Sequence, residues 1–145
     1  MEQHKKQKTQ QKIAVLYAGV YRPDCYGELL AYELAFNEAM RLVRVLPPLT
    51  EEESPLVAKL IEAAEEVCVL LGWAWDARQS RLQLLEQLAA AEALAAKVQL
   101  WIGFASEGGY LSVEDAKVHG DLYGDILKEI RELIRVADIV ARLVA

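Results

Sequence analysis

Apolar residues recur three or four apart through most of this chain, and the pattern breaks into four helical segments. The first is expected from about Asp24 to Leu46. Its apolar positions include Leu29, Leu30, Leu34, Phe36, Met40, Val43 and Leu46, with Glu28, Glu33, Glu38, Arg41 and Arg44 between them. Pro47-Pro48 closes it, because proline lacks the helical donor and pushes the preceding residue out of α geometry. The second segment, Pro55 to about Ala77, starts with two stacked signals. Thr50-Glu-Glu-Glu53 reads as a capping box, and Ser54-Pro55 as an N-cap followed by proline at the first helical position. Acidic residues 51–53 suit the positive end of a helix dipole. The third segment, Ser80 to about Ser106, opens on another capping pattern, Ser80…Gln83, and stops at Gly108-Gly109. The break near Asp76–Ser80 has the weakest punctuation. The fourth opens at Ser112 and runs to about Leu143, with Leu122, Ile126, Ile130, Leu133, Ile134, Ala137 and Val140 forming one stripe. Helices of roughly 35–45 Å follow from 1.5 Å per residue. Short connections make consecutive helices neighbours, so the pattern predicts an all-α, antiparallel up-down-up-down four-helix bundle.

Two stretches carry more apolar surface than one buried stripe needs. Val67 to Trp75 is apolar all round, and so is most of Leu88 to Phe104, interrupted by Glu92, Lys97 and Gln99. Each helix of a bundle has an outer face, so part of this surface is expected to meet another subunit. Leu71, Trp73, Trp75, Trp101 and Phe104 are the candidate interface residues, since large aromatics dominate interface energetics. The competing reading is that the three tryptophans fill one thick core.

Composition adjusts this picture only modestly. At 145 residues the chain favours one domain, here residues 13–145, preceded by a basic polar segment, residues 1–12. That segment carries four Lys against one Glu, while the remainder carries 12 basic against 21 acidic residues, for a net charge of −6 overall. An acidic body argues against non-specific binding along a nucleic-acid backbone. Cys25 and Cys68 have no metal-type spacing and read as free thiols of a cytoplasmic protein. The apolar run Ile13–Tyr21 follows basic residues as in a signal peptide, but Arg22-Pro23-Asp24 comes next in place of a small-residue cleavage site. No uncharged apolar stretch approaches the ~18 residues of a membrane span.

Candidate chemistry is sparse. Asp115 and His119 stand four apart on one helix face and read as an exposed ion pair. No Glu-x-x-His motif, zinc-type cluster or phosphate-binding loop occurs, and no nucleophile is paired with a base. A non-enzyme without cofactor or metal is expected. Lys128, Arg131, Arg135 and Arg142 follow spacings that align them on one side of the fourth helix, interrupted by Asp138. They are the candidate contacts for an acidic partner or nucleic acid, against the plainer reading of a solvated face with pairs such as Asp138–Arg142.

Several short motifs together resemble a known family. They are Tyr32-Glu-Leu-Ala35, Leu46-Pro47 with its acidic turn, Leu60-Ile-Glu-Ala-Ala64, the run Leu84–Ala96, Gly109-Tyr-Leu-Ser112, and Tyr123 through Ile134. The pattern is similar to the four-helix-bundle proteins encoded in intervening sequences of 23S ribosomal RNA genes, which include the accessory variability determinants of diversity-generating retroelements. The resemblance implies a ring-shaped homo-oligomer, typically a pentamer, and, for retroelement members, a reverse transcriptase and its template RNA as partners. It therefore implies an accessory or adaptor protein. The alternative is an RNA- or DNA-binding accessory protein that uses the basic row and the N-terminal segment.

Overall fold

The computed structural model describes residues 29–137, and these form four α-helices with no strand among them. They are α1 (Leu30–Val45), α2 (Pro55–Asp76), α3 (Arg81–Glu107) and α4 (Val113–Arg135). Helices α1 and α2, α2 and α3, α3 and α4, and α4 and α1 pack on one another, closing a cycle around one core.

Local chemistry explains most boundaries. Ser54, Ser80 and Ser112 each sit in extended backbone and accept from the amide three residues on, at 3.3, 3.3 and 3.0 Å. The Thr50–Glu53 box forms reciprocally, with the Glu53 amide donating to Thr50 Oγ1 and the Thr50 amide to Glu53 Oε1. It closes the turn ahead of α2, while Ser54 caps the helix itself. At the end of α3 the Tyr110 amide donates to Ala105 O and the Gly109 amide to Ser106 O. This is a Schellman ending, and Gly109 supplies its left-handed residue at φ +82.

The start of α1 differs from expectation. Leu29 is extended and contributes no side-chain cap, so α1 starts at Leu30 and not near Asp24. At 16 residues α1 is about 24 Å long, well short of the expected length. The described part of α4 ends at Arg135, with Val136 as its C-cap. Residues 24–28 and 138–143 of the expected helices lie outside the described residues.

The helices contribute to the core unequally. Helix α2 sends in Val57, Leu60, Val67, Leu71 and Trp75, and α3 sends in Leu84, Leu88, Val98 and Ile102. Helix α1 packs through Ala31, Ala35, Ala39 and Leu42, so its larger apolar residues Phe36, Met40 and Val43 face outward. Helix α3 is also long and apolar enough, by length and composition, to cross a membrane. Requiring a wholly uncharged stretch passes over it, because Glu92 and Lys97 interrupt it.

Candidate functional site

Two features stand out once the helices are placed: a polar cluster inside the bundle and apolar residues outside it. The cluster joins α1 to α4. Glu38 is 1% exposed and His119 5%, and His119 Nδ1 is in hydrogen-bond contact with Glu38 Oε1. Helical spacing puts Glu38 there, since Ala35, Glu38 and Leu42 fall on one inward stripe of α1. On α4, His119, Tyr123, Ile126 and Ile130 form the matching stripe. Arg41 Nη1 stands 3.6 Å from the second Glu38 oxygen, which has no hydrogen-bond partner among the described residues. Burial raises the Glu38 pKa above the ordinary carboxylate value, against the opposing pull of His119 and Arg41. The fully buried Tyr123 hydroxyl lacks a hydrogen-bond partner among the described residues. Burial, with the nearby Cys68 and Glu38, pushes it far above its usual range. Cys68 is free, and burial pushes it up to about 11, so it is a thiol at neutral pH and a poor nucleophile.

This arrangement corrects the reading of His119 as half of an exposed pair with Asp115. Asp115 is exposed, and His119 turns inward to meet a carboxylate 81 residues away in sequence. It also moves Glu38, read from the sequence as one of the charges between the apolar positions of the first helix, to the interior. The available signal was position: Glu38 lies three after Ala35 and four before Leu42. Chemically, the cluster holds α1 on α4. Removing either partner would leave a buried charge or an unmatched polar group.

The aromatic candidates scatter over three environments. Trp75 is 1% exposed and Leu71 is also buried, so both belong to the core and offer nothing to a second chain. Trp73 is 56% exposed, and Phe104 is exposed on α3 beside Leu100. Trp101 is half-buried, with the Lys97 ammonium 5.4 Å from its ring centre. The three tryptophans therefore do not fill one core. Around Trp75, a cleft lined by Leu29, Ala74, Leu84, Leu88 and Leu133 has no interior room even for a water molecule. Arg78 covers the Trp75 ring at 4.9 Å and donates to its carbonyl at 2.8 Å.

The basic row is exposed but engaged. Arg131 Nε reaches Glu92 Oε2 of α3 at 3.3 Å, and Arg135 forms a two-pronged pair with Glu132. Lys128 is exposed near Glu129, whose pKa is raised by burial and by neighbouring Glu132. Arg142, the N-terminal basic segment and Cys25 lie outside the described residues, as does the Asp138–Arg142 pair. Among the described residues no group of three His, Cys, Asp or Glu side chains is placed to hold a metal ion.

No protein-family model matches the chain, and neither the curated proteins nor the solved structures include a match.

Proposed function

We propose that this chain is a non-catalytic, self-associating helical-bundle accessory protein that acts by holding copies of itself and a protein partner together. The observation that carries this reading is the outward placement of large apolar residues on helices whose inward faces are already filled. Val69 and Trp73 on α2 and Leu100 and Phe104 on α3 are exposed, while Leu71, Trp75, Val98 and Ile102 supply the core from the same helices. Val69 and Trp73, and likewise Leu100 and Phe104, stand four apart on one helix face, and exposed apolar surface at neighbouring positions marks interaction sites.

The antiparallel up-down-up-down arrangement draws support from two contacts between α3 and α4. Glu92 meets Arg131, and seven residues later Gln99 donates to the Gly120 carbonyl at 2.9 Å, so the numbering rises on one helix as it falls on the other. The family resemblance favours a ring of five copies, cytoplasmic, with a reverse transcriptase as the partner. Light scattering at micromolar concentration tests the core of this reading. The expected mass is a multiple of 16.2 kDa, five-fold for a pentamer, and a single-chain mass would overturn it. The nucleic-acid alternative is less supported. Arg131 and Arg135 are committed to Glu92 and Glu132, and the chain is acidic overall. Retention of RNA at low salt, where phosphate contacts are strongest, would favour that alternative.

A further inference from the structure

The outer faces of α1 and α2 are complementary to each other. On α1, Phe36, Met40 and Arg44 are exposed and spaced four apart; on α2, Trp73, Val69 and Glu65 are exposed and also spaced four apart in the opposite direction. Residues four apart share one helix face. Both rows therefore span about 12 Å along their helices. Each begins with an aromatic ring, continues with an aliphatic side chain and ends on a charge, positive on α1 and negative on α2. Glu66 and Glu62 extend the acidic end of the α2 row, and Arg41 thickens the basic end of the α1 row. Tyr32 stacks on Phe36 with ring centroids 6.0 Å apart, which props Phe36 on the outer surface.

We infer that α1 of one copy docks antiparallel on α2 of a second copy, setting Phe36 on Trp73, Met40 on Val69 and Arg44 on Glu65 and Glu66. One register satisfies all three pairings, because the three positions on α1 and the three on α2 share the same spacing. Reversing either helix would place Arg44 against Trp73 and Phe36 against the acidic end. The aromatic and aliphatic pairs supply contact area, and the charges fix direction and register. The two faces differ, so the contact is head-to-tail: each copy offers α1 to one neighbour and α2 to the next. Such a contact closes into a ring where its rotation allows. This interface rests on the self-association proposed above and names the surfaces that perform it, including α1, whose outward apolar row the sequence pattern alone had not separated from its core.

Charge exchange in the full chain tests it by light scattering and sedimentation. Arg44→Glu alone and the double change Glu65→Arg with Glu66→Arg alone each juxtapose like charges, and each should weaken association on the order of 10-fold or more. All three changes on one chain should restore assembly to near the wild-type mass, and an equimolar mixture of the two weakened chains should associate more strongly than either alone, since alternating copies pair opposite charges. Trp73→Ala should weaken association about 30-fold. All four positions are exposed, so helical circular dichroism should be unchanged throughout. An oligomeric wild type whose mass ignores the charge changes would overturn this interface and leave self-association standing. So would two weakened variants that neither the mixture nor the combined chain rescues. A wild type that is a single chain at micromolar concentration would overturn self-association and this interface together.

Discussion

Burying Glu38 against His119 commits two ionisable side chains to the interior, and separating them strands whichever is left. His119→Ala is expected to destabilise the fold by about 3–5 kcal/mol in urea unfolding, because Glu38 would stay buried without its partner. Replacing both by Leu is expected to be neutral or stabilising, which would identify the pair as a device for register and not a source of net stability. The neighbouring Cys68 and Tyr123 give a pH signature. The Cys68 pKa rises from 9.0 to about 11 on folding, so its contribution is complete below pH 9 and fades as pH rises toward 11. At ~1.4 kcal/mol per unit this is on the order of 3 kcal/mol. Tyr123 is shifted in the same direction and extends the loss further into alkali. Urea midpoints should fall steeply above pH 9, and less steeply in Cys68→Ala. A parallel alkaline slope in that variant would count against the assignment. At this scale the sequence was only partly legible. Glu38 and His119 were sorted by residue type as surface charges, although their helical positions place them inward.

The elements were more legible where a single residue carries the geometry. Serine caps, the proline pair and the glycine stop act through local backbone chemistry, and the starts of α2, α3 and α4 were readable from them. The start of α1 was not, because Leu29 carries no capping group and its position depends on packing. Gly109 allows a clean test. Its φ is +82 and a Cβ added there would meet nothing within 4 Å, so Gly109→Ala adds backbone strain alone. The expected cost is about 1 kcal/mol, read as a lower urea midpoint with unchanged slope. Ser54→Ala should cost a similar ~1 kcal/mol through the lost α2 cap. Helix α1 illustrates what periodicity cannot resolve. Alanines and large apolar residues alternate around it, and only packing decides that Ala31, Ala35 and Ala39 turn inward while Phe36, Met40 and Val43 turn out.

For the whole molecule, four amphipathic segments with short connections were enough to anticipate four packed helices. The excess of apolar residues on the second and third was also legible, but its distribution was not. Leu71 and Trp75 went to the core, whereas Trp73, two residues from Trp75, points to solvent, because neighbours two apart lie on different faces of a helix. The proposed self-association has a thermodynamic consequence at this scale. If folded chains bind one another and unfolded chains do not, the melting temperature should climb with protein concentration. A constant midpoint over a hundred-fold dilution series would contradict the proposed function independently of any mutation.

The dispersal of the three tryptophans also equips the protein with an intrinsic optical readout. Trp75 is sealed in the core, Trp101 is half-covered under Lys97, and Trp73 stands in solvent. Acrylamide should quench Trp73 emission first and Trp75 last, and the Trp73→Phe difference spectrum should isolate the most red-shifted component. If copies dock on α2 as proposed, that component should shift to the blue and escape the quencher while the other two stay as they were. Assembly and dissociation can then be followed in real time by the colour of the protein's own light, without a label and without touching the core.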